Sequence, residues 1–490
     1  MRIIADLQIH SKYSRAVSQE MVIPKIWEWA KRKGIKLMAT GDWTHPLWMR
    51  EIKANLEETG NGLLKLKSSR HEVGIHDAVI SHSSKTASGQ NSKLGEEPLF
   101  LLATEVSCIY SQGGKLRRIH TLIWAPSIET ADKINKELIN RGANLVSDGR
   151  PIVGLTSIAI AELVFSIDPT CLIIPAHAWT PWFSLYGSES GFNSIDECFG
   201  NYSKYIYAIE TGLSSDPAMN WRIKELDNRS IVSFSDAHSG PKLGREATVF
   251  DLSELSYRAI RAALVRAAVN KDQLSVVSNQ SKENNSKTDN RKLIAENKIS
   301  YTVEFYPEEG KYHYTGHRNC SVKQTPEETR KNGTICPVCG RKLTVGVMHR
   351  VDALAGRSEE ELEIKKLEIK GIEMKGIISG KFIQRPPYMM MVPLQEILSE
   401  VYRTSVHSQA VQNEYGKLID NLGSEFDILL STPTSDIARI SGPDVSDAID
   451  KVRNGQLTID PGYDGVFGKV KIFSDEKKEE ENKKEQLSLF

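Results

Sequence analysis

Through its first 270 positions the chain places apolar, often β-branched residues in short runs, and each run ends in an acid or a histidine. Residues 3–6 lead to His10, residues 36–40 to Asp42, and residues 99–104 to Glu105. Ile119 precedes His120, residues 172–175 precede His177, Ala208 and Ile209 precede Glu210, and residues 231–235 run into Asp236-Ala-His238. Amphipathic stretches of helical period separate the runs, as at 22–32, 130–141 and 257–268. Short apolar runs alternating with helical stretches predict βα units and a parallel sheet. In a barrel of parallel strands, the loops leaving the strand C-termini converge on one mouth.

Beyond this region the pattern changes. Residues 82–97 are rich in Ser, Lys, Gly and Asn and read as an excursion between the second and third runs. Residues 278–289 (SNQSKENNSKTD) contain nothing apolar and predict a linker. A compact cysteine-bearing segment follows, then a charged helix at 358–370 and a turn at Pro386-Pro387. Helices near 394–403 and 411–422, Gly-rich turns and a strand at 466–473 lead to a charged tether at 475–485. The expected division is a barrel at 1–270, a polar linker at 271–298, a zinc-binding module at 299–352, a mostly helical DNA-binding region at 353–473 and a tail at 474–490.

Composition narrows the partners. Lys+Arg and Asp+Glu both number 63, so no global charge advertises nucleic acid, and any such face is local. No apolar stretch approaches the ~20 residues of a membrane span, and no charged leader precedes a long apolar run. Two of only six cysteines form a Cys-x-x-Cys, which favours metal over a disulfide framework. A cytoplasmic, nucleoid-associated protein without membrane attachment is expected.

Singly, a His or Asp after a strand is usually a turn former or a cap. As a set, these residues offer what phosphodiester hydrolysis requires: carboxylates that bridge cations, imidazoles that complete their shells, and open positions for water and phosphate. A second constellation is local. His317-x-x-Cys320 and, fifteen residues on, Cys336-x-x-Cys339 with Gly340 carry the spacing of structural zinc. Positions 311–350 hold eight Lys/Arg, among them Arg318, Arg341 and Lys342, against Glu327 and Glu328. Such a basic face suits a phosphate backbone.

The order Asp6-x-x-x-His10, Gly41-Asp42, Glu105, His120, His177 and Asp236-Ala-His238 resembles the PHP (polymerase and histidinol phosphatase) domain. That resemblance implies an α/β fold, a distorted (β/α)7 barrel with two or three metals. His10, Glu105 and Asp236 would hold one ion, and Glu105 would bridge to a second held by His120 and His177. His238 and Asp42 would face a third. The family opens on His-x-His, where this chain has Gln8, a weaker neutral donor that would hold its ion less tightly. Trp43 follows Asp42 where the family has a histidine, and His45 is the available substitute.

The run from Tyr312 to Val351 resembles the zinc segment of endonuclease Q, and residues 174–188, 209–222 and 460–468 resemble that family equally. The resemblance implies a DNA repair endonuclease that uses metal-activated water. It would cut double-stranded DNA 5′ to deaminated bases (hypoxanthine, uracil, xanthine) or abasic sites, with structural zinc and with zinc, magnesium or manganese in the barrel. Asp236, Asp42 and His238 are the expected catalytic residues. Trp179, Tyr186 and Ser188, beside His177, would form a base pocket, although the tryptophans of this stretch suit barrel core equally. The terminal Gln486-Leu487-Ser-Leu489-Phe490 resembles the motif that binds the bacterial β sliding clamp. Two alternatives fit the barrel: a phosphatase for a small phosphomonoester, and a DNA-binding factor weakened catalytically by Gln8.

Overall fold

The computed structural model describes residues 1–68, 97–268 and 293–473. Most of the 82–97 excursion, the 278–289 linker and the tail bearing Gln486, Leu487, Leu489 and Phe490 lie outside these described residues. No helix among the described residues is long and apolar enough to cross a membrane.

Strand β1 (Arg2–Asp6) pairs parallel with β2 (Leu37–Ala39), and β2 pairs parallel with β5 (Leu99–Gln112). Strands β3 (Leu56–Glu58) and β4 (Leu64–Leu66) form a small hairpin on the edge of β5. Strand β6 (Lys115–Ala125) returns antiparallel to β5 through Gly113-Gly114, whose φ angles of 62° and 71° a side chain would resist. The short β7 (Ile152–Val153) lies on β5, and β8 (Leu172–Pro175) pairs antiparallel with β6. Strands β9 (Ala208–Glu210) and β10 (Ser230–Val232) form a parallel pair. The Ala178 amide donates to the Glu210 carbonyl at 3.0 Å on one side of that pair. On its other side the Ser233 amide donates to Thr248 Oγ1 at 3.0 Å, reaching β11 (Ala247–Asp251). Strand β11 then runs antiparallel to β1, so the strands succeed one another around a ring. Phe100, Trp124, Phe234 and Phe250 are buried in its core.

The ring is therefore mixed rather than parallel throughout. A two-glycine turn leaves no chain for a helical crossover, so β5 and β6 must be antiparallel.

The expected boundary between barrel and zinc-binding module does not follow the hydrogen bonding. Strand β12 (Lys298–Glu304) pairs antiparallel with β11, burying Ile299, Tyr301 and Val303 while satisfying an edge. Parallel to β12 lies β17 (Tyr388–Met390), followed outward by β16 (Gly376–Ser379) and β15 (Ile364–Leu367). The charged helix expected at 358–370 is instead a single turn, Glu360–Leu362, and then β15. All four residues of β15 are exposed, and pairing with β16 rather than side-chain periodicity sets its conformation. Five helices between Leu394 and Asn454 make the helical part of the C-terminal region. A buried ion pair, Lys33 Nζ to Glu425 Oε2 at 2.7 Å, ties them to the first barrel helix, Ile23–Lys33.

Candidate metal centre

Three residues at the strand ends, Asp42, His177 and Asp236, have positive φ angles of 42°, 30° and 47°. Such backbone costs about 1–3 kcal/mol per residue and persists only where its surroundings enforce it. Here they do. Asp42 Oδ2 accepts from the Ser11 amide at 2.6 Å, Ser11 Oγ at 2.7 Å and Ser14 Oγ at 2.8 Å. The His177 amide donates to Glu210 Oε2 at 2.7 Å, and Gly212 is packed so closely that a Cβ there would lie 2.4 Å from His177 Cβ. The Ser235 amide donates to Asp6 Oδ1 at 3.0 Å and the Gly244 amide to Oδ2 at 2.9 Å, while the Arg245 guanidinium spans the Ser235 and Asp236 carbonyls.

These supports bring two triads together. Glu105, His120 and His177 place one ligand atom each within 4.8 Å of one another, and so do His10, Asp236 and His238. Glu105 Oε1 lies 2.5 Å from His120 Nδ1 and 3.4 Å from His177 Nε2, and those two ring nitrogens face each other at 3.1 Å. His10 Nε2 lies 3.2 Å from Glu105 Oε2 and 3.2 Å from Asp236 Oδ1, so Glu105 touches both groups. Asp236 Oδ1 is buried, with the His10 and His238 rings beside it. Convergent imidazoles and two carboxylates, one of them touching both groups, fit divalent cations.

Electrostatics treat the two triads differently, favouring a neutral ring in one and a charged ring in the other. Burial lowers the His120 pKa to about 4, so the ring is neutral, the form that ligates. Burial raises the Glu105 carboxyl, but Arg150, His120 and His10 outweigh it and hold its pKa well below the usual range. Burial likewise opposes charge on His10, yet Asp42, Asp236 and Glu105 keep its pKa well above normal. Glu210, packed behind His177, is pushed well above the usual carboxylate range by burial.

Other expected site residues lie elsewhere. Asp42 joins neither triad, because its second oxygen accepts from His10 Nδ1 at 2.9 Å and the first is saturated; it orients His10. His238 joins His10 and Asp236 instead of pairing with Asp42. Gln8 turns its amide nitrogen to the cluster, donating to Glu105 Oε2 at 2.8 Å, and its oxygen is buried without a partner. His45 stacks on Tyr13 at 4.5 Å, away from both triads.

A cavity of about 950 Å³ opens from the triads, lined by His120, His177 and Asp236 at its floor. Arg118, Lys242, Arg245 and Lys311 supply its cations. Trp182, Phe183, Tyr312 and Phe467 supply its aromatic walls, with Trp182 and Tyr312 edge to face at 5.4 Å. Trp179 and Tyr186 do not line it. They are fully buried, stacked at 4.6 Å, and their polar atoms are satisfied by Asn220 and Glu225. Ser188 Oγ donates to the Val345 carbonyl at 3.2 Å. The stretch thus splits into core (179, 186) and cavity wall (182, 183), because tight turns through 180–187 reverse which side chains face inward.

Sequence reading missed Arg150, whose Nη1 lies 3.4 Å from Glu105 Oε1. It follows no apolar run, so nothing in the local pattern marks it. Of the wall residues, Tyr312 and Phe467 fall only within matching segments, and Lys311 only within the basic stretch 311–350.

Away from the mouth, His317, Cys320, Cys336 and Cys339 form a third cluster with ligand atoms within 4.8 Å, flanked by strands β13 (Thr315–His317) and β14 (Val322–Gln324). Burial opposes charge on Cys336, but the Cys339 amide and His317 outweigh it and lower the thiol to about 6. Arg318, Arg341 and Lys342 are exposed around this cluster.

The crystal structure of the lesion-specific endonuclease PfuEndoQ from Pyrococcus furiosus superposes with a TM-score of 0.72 at 28% identity, covering 97% of this chain and 96% of that one. A structure of endonuclease Q with a 27-mer duplex carrying an abasic lesion at the active site matches at the same score and identity, over 97% and 98% of the two chains. The protein MJ0043 of Methanocaldococcus jannaschii is 32% identical over 296 residues, which span 60% of this chain and only 31% of that relative's length. Residues 393–456 match the family described as the MJ0043 C-terminal domain. Over nearly its whole length the chain shares its fold with endonuclease Q.

Proposed function

We propose that this chain is a metal-dependent DNA repair endonuclease that cuts the phosphodiester 5′ to a deaminated base or an abasic site. The observation that carries the reading is that residues of both triads floor one cavity whose other walls combine Arg118, Arg245 and Lys311 with aromatic rings, beside Glu309 and a Lys242–Glu396 ion pair. The mixed ring and the order of its ligands support a PHP-type barrel. Bound divalent ions would polarise the scissile phosphate and lower the pKa of water.

The chain's own groups do the rest. Glu105, His120 and His177 would hold one ion, and His10, Asp236 and His238 would hold a second, with Glu105 in contact with both groups. Asp42 fixes the His10 ring, and Glu210 fixes the His177 backbone. Arg245 and Lys311 supply charge for the DNA backbone. Trp182, Phe183 and Tyr312 offer ring faces to a nucleotide withdrawn from the stack, which costs least for a weakly paired lesion. The cysteine cluster would hold structural zinc and present Arg318, Arg341 and Lys342 to the duplex. Residues 486–490 would bind the β sliding clamp and raise the local enzyme concentration by tethering.

The test uses labelled duplexes bearing deoxyinosine, deoxyuridine, an abasic site or normal bases, with and without added divalent cation. A metal-dependent nick 5′ to the lesion, leaving a 3′-hydroxyl and a 5′-phosphate, is expected. Intact lesion duplex alongside turnover of a free phosphomonoester would overturn the proposal. Clamp binding unchanged on deleting residues 486–490 would remove the tail from it.

A further inference from the structure

Each oxygen of Glu105, the carboxylate that touches both triads, is approached by a hydrogen-bond donor that belongs to neither triad. Gln8 Nε2 donates to Oε2 at 2.8 Å. Arg150 Nη1 lies 3.4 Å from Oε1 and 3.5 Å from His10 Nε2, so one guanidinium spans a residue of each triad.

Arg150 is not a stray surface cation. Its side chain is largely buried, and the loop that carries it is clamped on both flanks. The Arg150 amide donates to Asp148 Oδ1 at 3.0 Å, the Gly149 amide to the Tyr13 carbonyl at 3.0 Å, and Thr44 Oγ1 to the Gly149 carbonyl at 3.2 Å. On the other side, the Ser107 amide donates to the Pro151 carbonyl at 3.0 Å. Gly149 itself presses on Asp42, where a Cβ would sit 2.3 Å from Oδ2. The loop therefore fits against the residue that orients His10, and any side chain at 149 would displace it.

We infer that Arg150 is a resident cation of the centre, a positioning residue that shares Glu105 and His10 with the metal and thereby lowers the affinity for divalent ions. A fixed positive charge beside two ligand atoms repels an incoming dication, and the low-dielectric surroundings magnify the repulsion. Gln8 acts in the same direction more weakly, by engaging the other Glu105 oxygen with a neutral donor. The pair keeps the shared carboxylate oriented between the triads and makes the ions exchangeable. This inference rests on the metal-centre reading and is independent of which DNA lesion is cut.

The experiment is calorimetric titration of Mn²⁺ into the stripped full-length protein, without DNA. Arg150→Gln removes the charge and keeps an amide donor, Arg150→Met removes both, and Arg150→Lys keeps the charge. The Gln and Met variants are expected to bind the tightest ion about tenfold more strongly than the native chain, and the Lys variant within about threefold of it. Either neutral variant suffices should the other fail to fold. Equal affinity in native and neutral variants would overturn the role of Arg150 while leaving the metal centre standing. Tightening in the Lys variant as large as in the neutral ones would overturn it too, since charge would not be the cause. No binding by any of the proteins would sink the metal centre, and this inference with it.

Discussion

The barrel mouth and the cysteine cluster are both candidate metal sites, yet they are built by opposite means. The cysteine cluster draws its four ligands from one stretch between His317 and Cys339, with Cys339 exposed and its partners only partly supported by neighbours. The mouth draws its ligands from between His10 and His238, and six buried or half-buried side chains meet only because the strands close around them. Asp6, Asp42 and Glu210 hold the mouth through hydrogen bonds that require no ion. The cluster is framed locally, by the β13–β14 pair and by the Cys336 amide donating to the Arg341 carbonyl at 2.7 Å and the Gly340 amide to the Cys336 carbonyl at 2.9 Å. The mouth is thus held by contacts between distant segments, whereas the cluster rests on short-range turns that its metal would tie together.

The sharpest way to test this contrast is at Asp236. Asp236→Ala is expected to lower lesion nicking on the order of 10³-fold, about 4 kcal/mol of transition-state stabilisation, with little change in melting temperature. Single-turnover nicking read beside a thermal melt decides it, and a large melting loss would mean that the mouth depends on its ligands for structure. Chelation should have the reverse signature at the cluster. Chelation of any bound metal, or Cys336→Ser, is expected to expose residues 315–345 to protease and hydrogen exchange while the barrel strands stay protected. Equal loss of protection at both sites would erase the distinction.

A smaller effect is expected behind the mouth. Glu210→Gln weakens the hold on the strained His177 backbone and should cost about 10- to 100-fold in metal affinity or activity, the usual scale for residues that orient ligands. The smallest effect concerns Glu304, which lies in the core and accepts from Ser233, Thr302 and Thr211. Burial, opposed by these donors, raises its pKa to about 8. Because the folded pKa is raised above the unfolded value, its contribution is fully present below about 4.5 and is lost as pH rises through about 8. Glu304→Gln should therefore gain on the native protein between pH 5 and pH 9, on the order of 2 kcal/mol, read from denaturant melts.

How much of this was legible in the sequence depended on distance along the chain. Short runs ending in acids or histidines mark strand ends, because a strand leaves its polar residue where the apolar pattern stops. That rule located His10, Glu105, His120, His177, Asp236 and His238. It could not separate Asp42 as an orienting group from Asp42 as a ligand, since that depends on Ser11 and Ser14 folding over it. It also failed at residues 179–188, where turn geometry rather than composition decides which aromatics face the cavity. The strand β15 was misread as helix because its sheet partner lies in β16.

By itself, the sequence determined the cysteine cluster, the amphipathic helices and the list of candidate ligands, for these follow from spacing and local periodicity. Only the tertiary structure decided that β12 continues the barrel sheet, that Asp42 orients His10, and that Arg150 stands between the two triads. Those facts arise from backbone pairing and close packing between residues far apart in the chain, and no local pattern encodes a contact whose two halves are specified separately.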